Sequence, residues 1–290
     1  MENFERFSRD FTWNSSYDPE RSVHTWATVA RGEENVLFSD IDRLQVYPHA
    51  DTVTVSGLCQ GTFEYLIEHY GPRLRALRIC NSKTVEDWSL LGTLPALEFF
   101  CYRGNQRLDT LWDMSGNTAL KGITLEGCTR LHSLCGIERA PALAYFEIGD
   151  VMWPTLVPDS FLPLRTTGIR HLAFYGKAIG DGDLSFLEGM PSLETFDFAT
   201  NLFTTEQVAW IAANRPEVSG FAIGAMRDEI TYDGSTYRKN VPAAQIIGKR
   251  KPLLPVAGNE AKIQRYIEKF ERLKEQYRGR SYRDVFPQGT

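Results

Sequence analysis

Five histidines (His24, His49, His69, His132, His171) and five cysteines (Cys59, Cys80, Cys101, Cys128, Cys135) are the side chains best suited to metal ligation or nucleophilic attack. Their spacing supports neither. No C-x-x-C, H-E-x-x-H, G-x-S-x-G or Walker A segment occurs, and Gly180-Asp181-Gly182-Asp183 lacks the remaining ligands of a calcium loop. A second set is more informative. Arg78, Phe99, Arg103, Glu126, Tyr145, Glu147, His171, Tyr175 and Asp197 recur at intervals that place them on one surface. Exposed Tyr, Phe and Arg dominate binding hot spots, so the chemistry this set suits is recognition, with no bond made or broken.

The elements that must position these residues announce themselves by periodicity. Segments begin on an apolar residue at 74, 97, 120 and 143, each 23 residues after the last (97−74, 120−97, 143−120). Apolar residues follow three and five places later: Leu74/Leu77/Ile79, Leu97/Phe100/Tyr102, Leu120/Ile123/Leu125 and Leu143/Phe146/Ile148. With looser spacing come Ile169/Leu172/Phe174, Leu193/Phe196/Phe198 and Val218/Phe221/Ile223, and Ala50/Val53/Val55 extends the series backwards. The last two residues of each triplet are two apart, hence on one face of a short strand. Strands are therefore expected near 53–55, 77–79, 100–102, 123–125, 146–148, 172–174, 196–198 and 221–223. One unit cannot bury its own apolar edge, so a fixed period of this size reads as a stacked array. Leu108, Leu111 and Met114 in one unit, and Leu131, Leu134 and Ile137 in the next, fold back onto the apolar column. Eight residues past each start is a place for a buried polar side chain that satisfies turn backbone; Asn105, Cys128 and Asn201 fall there, whereas Ser82 and Val151 depart from the pattern.

These units resemble the leucine-rich repeat, L-x-x-L-x-L-x-x-N/C-x-L, with Leu120-Lys-Gly-Ile123-Thr-Leu125-Glu-Gly-Cys128-Thr-Arg-Leu131 as the best match. The resemblance covers about residues 50–225; aromatics replace leucine at several strand positions, and 151–168, with Pro154, Pro158 and Pro163, breaks the period. It implies an α/β leucine-rich repeat solenoid with a parallel β-sheet on the concave face, an irregular N-terminal cap and a helical C-terminal cap. The concave face would present the residues alternating with the buried ones: Ala76/Arg78/Cys80, Phe99/Cys101/Arg103, Gly122/Thr124/Glu126, Tyr145/Glu147/Gly149, His171/Ala173/Tyr175 and Thr195/Asp197/Ala199. At the offset of His171 the flanking units carry Tyr145 and Thr195, which argues against a metal there. Cys80 and Cys101 lie diagonally on neighbouring strands and read as isolated thiols on that face. Arg75, Glu98 and Lys121 alternate in sign down one column, as do Arg170 and Glu194, a pattern of surface pairs.

Three segments follow. Residues 1–49 form an N-terminal cap rich in aromatics (Phe4, Phe7, Phe11, Trp13, Trp26, Phe38), with a strand at Glu34–Phe38; residues 50–225 are the solenoid; residues 226–290 are the C-terminal cap. Helices are expected at Thr62–His69 and at Thr204–Asn214, where Thr204 and Gln207 form a capping box. After Ala225, strands are expected at Glu229–Tyr232 and Thr236–Lys239. A helix at 259–277 follows, whose stripe of Ile263, Tyr266, Ile267, Phe270, Leu273 and Tyr277 closes the array.

Composition narrows the function. With 290 residues, 42% of them hydrophobic, a formal charge of −5 and a pI near 5.7, the chain lacks the basic excess of a general nucleic-acid or anionic-membrane binder. Lys249-Arg250-Lys251 reads as a solvated turn before Pro252. The first thirty residues hold no apolar run like a signal peptide's core, no stretch approaches a spanning helix, and an odd number of cysteines inside the repeats suits reduced thiols. The expectation is a cytoplasmic, non-enzymatic module without cofactor or metal that binds another protein on its concave face. The resemblance is to stand-alone bacterial repeat proteins, and an immunity or antitoxin-like inhibitor is one specific form. The alternatives are a carbohydrate or small-ligand binder stacking on Phe99, Tyr145 and Tyr175, and a regulator or subunit of an enzyme complex. Oligomeric state is not written in the sequence.

Overall fold

The computed structural model describes residues 22–26 (backbone only), 36–232 and 240–287. The chain divides into two compact units: residues up to 170 with 175–182 and 189–192, and residues 171–174 and 183–188 with everything from 193 onward.

In the first unit, the 23-residue period becomes a parallel sheet. Strands β1 (Ser22–Trp26), β2 (Thr52–Ser56), β3 (Ala76–Cys80), β4 (Phe99–Arg103), β5 (Gly122–Glu126) and β6 (Tyr145–Gly149) lie side by side in chain order, every neighbouring pair parallel. Register is fixed by the triplets. Val53, Leu77, Phe100, Ile123 and Phe146 stand opposite one another across the sheet, as do Val55, Ile79, Tyr102, Leu125 and Ile148. All ten are essentially inaccessible to solvent, because a one-residue slip would turn both apolar columns to water. Leu108, Leu111, Met114, Leu131, Leu134 and Ile137, expected from sequence to fold back onto the columns, are buried as well. The unit also carries a short α-helix, α1 (Phe38–Ile41), and a longer one, α2 (Gln60–Tyr70); α2 buries Phe63, Leu66, Ile67 and Tyr70 at helical spacing.

Strand ends repeat as well. Gly57, Asn81, Gly104 and Gly127 follow β2, β3, β4 and β5 in left-handed conformation, with φ between 50° and 83°. Asparagine is the non-glycine residue that tolerates this region best. The amides of Gly57, Asn81 and Gly104 donate to the carbonyls of Cys80, Arg103 and Glu126 at 3.1, 3.0 and 2.8 Å, so the ladder runs one residue past each strand before the chain turns. The next position is the buried polar one. Asn105 Nδ2 donates to Val85 O at 2.7 Å while Oδ1 accepts the amides of Arg107 and Leu108 at 2.8 and 2.6 Å. Ser82, which looks irregular in sequence, does the same work: its Oγ accepts the Leu58 amide at 2.8 Å and donates to Cys80 O at 3.0 Å. Cys128 is buried at the equivalent place.

The second unit carries the parallel pair β7 (His171–Tyr175, of which Tyr175 falls in the first unit) and β8 (Thr195–Phe198), and helix α3 (Thr205–Asn214). It also holds an antiparallel sheet ordered β11 (Leu253–Pro255), β10 (Asn240–Ile246), β9 (Met226–Tyr232), and helices α4 (Glu260–Tyr277) and α5 (Tyr282–Val285). At the start of α3, Thr204 Oγ1 accepts the Gln207 amide at 3.1 Å and Gln207 Oε1 accepts the Thr204 amide at 3.0 Å, the reciprocal cap predicted from sequence. The α4 stripe is buried at Ile263, Phe270 and Tyr277, while Tyr266 and Ile267 pack half-buried on a cluster of Ala244, Ile246, Leu254 and Ile263. Helix α4 lies on α3, tied by Lys269–Glu206 at 2.8 Å and by Asn214 Nδ2 to Tyr277 O at 3.0 Å.

Several expectations are corrected. No strand forms at 221–223. Gly220 opens a turn closed by Ile223 N to Gly220 O at 3.2 Å, Ala222 is buried in place of Phe221, and Phe221 is half exposed beneath the Arg227 guanidinium, 3.6 Å from its ring centroid. Asn201 is exposed on the turn before α3, so it does not serve as the buried polar residue. Val36 and Leu37 are not in a strand and Phe38 opens α1; residues 34–35 of the expected Glu34–Phe38 strand, the cap aromatics before position 22, and the expected strand at 236–239 lie outside the described residues. Lys249 and Arg250 sit exposed on a turn, as expected, closed by Lys251 N to Gly248 O at 3.2 Å.

Candidate functional site

Alternation along each strand gives the sheet an open face opposite the apolar columns. In the first unit, Arg78 on β3, Phe99 and Arg103 on β4, Glu126 on β5, and Tyr145 and Glu147 on β6 are all half-buried there. Strand register places Arg78 beside Cys101, Phe99 beside Gly122, and Arg103 beside Glu126. Small side chains between the large ones are covered: Cys101 and Thr124 are buried, and so are Gly122 and Gly149. Cys101 thus shares the open face with Arg78 but is covered there and not exposed as the sequence suggests, and burial pushes its thiol up to about 12. Cys80 is half-buried, and all five cysteines are free thiols.

Charges on this face are paired. Arg103 engages Glu126 with Nε to Oε2 at 2.7 Å and Nη2 to Oε1 at 2.9 Å, a two-point contact that raises the guanidinium's affinity for its proton despite partial burial. Tyr145 donates its hydroxyl to Glu147 Oε2 at 2.5 Å, which holds the ring against its strand. One column away, Glu98 accepts from Arg75 and, at 2.6 Å, from Lys121; burial works to raise its carboxyl, and the two cations outweigh that and hold it below the usual range. The predicted ladder of alternating charge is present.

At the carboxyl ends of these strands lies a pocket of about 440 Å³, lined by Arg78, Cys80, Asn81, Arg103, Glu126 and Asp150 together with Gly104 and Gly127. A Cβ added at Gly104 would meet nothing closer than the Asn81 amide at 4.0 Å, so the trough is open as well as conformationally demanding of glycine. Sequence reasoning missed this pocket. The signal was present in Gly104 and Gly127, one repeat apart (127−104).

The remaining candidates divide between the units. Tyr175 belongs to the first and is half-buried, its carbonyl accepting the Asp150 amide at 2.9 Å. His171 and Asp197 belong to the second. His171 Nδ1 lies 2.9 Å from Thr195 Oγ1 and Nε2 lies 3.9 Å from Glu194 Oε2, while Asp197 Oδ1 accepts the Phe221 amide at 2.8 Å. Asp197 thus anchors the turn that replaces the last expected strand. Among the described residues no group of three or more His, Cys, Asp or Glu side chains converges as a metal site, and no helix is long and apolar enough to cross a membrane. No protein-family model matches the chain, and no curated protein matches it.

Proposed function

We propose that the chain is a leucine-rich-repeat-type interaction module that binds a partner protein through the open face of its parallel sheet and performs no chemistry of its own. One observation carries the reading: Phe99, Arg103, Glu126, Tyr145 and Glu147 stand half-exposed on three adjacent in-register strands whose alternate residues are fully buried. Large amphipathic side chains on a rigid scaffold offer contact area at small entropic cost, which is what a protein hot spot requires. The free thiols support action in a reducing compartment, with the cytoplasm as the proposed location.

The test is site-specific photo-crosslinking. A benzoylphenylalanine at Phe99 or at Tyr145 is expected to trap a discrete partner in the native host, and one at exposed Arg130 is not. A partner trapped from Arg130 and from neither sheet position would overturn the assignment of the face.

A further inference from the structure

Exposed rings and unpaired carboxylates coincide on the helices of the first unit. Leu37 and Phe38, at the head of α1, are 62 and 52% exposed. Phe38 meets Tyr65 of α2 edge-on, with ring centroids 4.9 Å apart, and Tyr65 stacks on His69 at 4.0 Å. Tyr65 is half-buried and His69 exposed, so the three rings make a row at the surface. Single exposed apolar residues are ordinary, whereas a contiguous row marks a contact surface.

The row is fixed. Tyr65 and Tyr70 donate their hydroxyls to Asp42 Oδ1 at 2.8 and 2.7 Å, and His69 Nδ1 lies 3.1 Å from Tyr65 O. The Tyr70 and Tyr65 hydroxyls hold the Asp42 carboxyl below its usual range. Rings held this way lose little conformational freedom on binding.

The surroundings are acidic. Residues 36–70 carry five carboxylates (Asp40, Asp42, Asp51, Glu64 and Glu68) against one arginine, Arg43, and no lysine. Asp51 has Arg75 at 3.7 Å. Among the described residues the other four make no ion pair. Asp40 accepts the Leu37 amide at 3.1 Å and Glu64 accepts from Gln60 at 2.8 Å, both neutral donors. The nearby Arg73 guanidinium donates instead to the Leu44 carbonyl at 2.9 Å. Glu64 and Glu68 have the same four-residue spacing as Tyr65 and His69, so the carboxylates run alongside the rings on α2. Aromatic faces are negative, and with carboxylates beside them they favour a cation.

We propose that Phe38, Glu64, Tyr65, Glu68 and His69 form a docking surface for a partner-protein segment that carries arginine or lysine. The cation lies against the rings and pairs with Glu64 or Glu68. This surface shares no residue with the open face of the sheet, so either assignment can fail without the other.

Differential peptide selection tests it. A displayed random dodecapeptide library is selected on the purified full chain and depleted on Glu64→Gln/Glu68→Gln, whose thermal unfolding should match the wild type. Surviving peptides are expected to be enriched in arginine or lysine. In calorimetric titrations, Glu64→Gln/Glu68→Gln and Phe38→Ser should each weaken binding of a resynthesised peptide about tenfold or more. Glu268→Gln/Glu271→Gln, the same charge change on exposed positions of α4, should leave it unaltered. Replacing the peptide's arginine by citrulline, or its lysine by norleucine, should cost the wild type a similar factor, and rising salt should weaken binding. Survivors without basic residues, or no survivors at all, would overturn the proposal. So would an equal loss in the α4 control, which would reduce the effect to net charge. A wild-type dimer in light scattering that Phe38→Ser dissociates would assign the surface to a second copy and overturn it too.

Discussion

Arg103 and Glu126 occupy the same place in successive repeats, and strand register sets them side by side so that two guanidinium nitrogens meet two carboxylate oxygens at 2.7 and 2.9 Å. About a third of each side chain remains exposed, so water and salt screen the pair. Glu126→Gln is therefore expected to cost no more than about 1 kcal/mol of unfolding free energy, measured by urea denaturation, with the deficit shrinking as ionic strength rises. A loss several times larger would mean that the pair organises the sheet.

The apolar columns behave differently. Leu125 is inaccessible, flanked across the sheet by Tyr102 and Ile148. A charge placed there has no partner, so Leu125→Asp is expected to unfold the first unit, a loss of more than about 4 kcal/mol. Circular dichroism and a thermal melt check this. Leu125→Ala removes the same packing without the charge and should cost about 2–5 kcal/mol. An unchanged melt for the aspartate variant would contradict the burial of the column.

In the second unit, Asp183 gives a pH signature. Its carboxylate is buried, which works to raise its pKa. It nonetheless accepts the Ser185 amide at 2.8 Å and pairs with Arg283 at 2.8 Å, and these contacts outweigh burial and hold it below the ordinary value. A depressed folded-state pKa means stability that is present above the unfolded value, about 4, and is lost as pH falls through the folded one. Relative to the wild type, Asp183→Asn should be less stable at neutral pH, and the gap should close below about pH 4. Denaturant melts across an acid series test this; a gap that stays constant with pH would remove Asp183 from the account.

Much of the fold was legible because its cause is periodic. The buried triplets and the Thr204–Gln207 cap follow from residue types at fixed spacing, and the structure places them accordingly. The failures have local causes. The triplet Val218/Phe221/Ile223 matches the spacing, yet the Gly220 turn and the Asp197 bond to the Phe221 amide divert the chain. Strand β1 extends the sheet beyond the first recognised triplet, because 22–26 carries no such signature. Cys101 and Thr124 alternate with the buried columns yet are buried themselves, which strand alternation alone does not predict. The candidate site was readable as a set of strand positions, and the pairings within it were not.

The central claim is that the open face of the sheet is where this chain binds its partner, and Tyr145 tests it most directly. Its ring is half-buried, its hydroxyl is tied to Glu147 at 2.5 Å, and its removal leaves both apolar columns untouched. The decisive measurement is a calorimetric titration of the crosslink-identified partner into the wild type and Tyr145→Ala, with thermal unfolding of both recorded. The account expects matched melting temperatures and affinity weakened by ~1–3 kcal/mol, about tenfold to a hundredfold. Equal affinity for the two proteins at equal stability would contradict it.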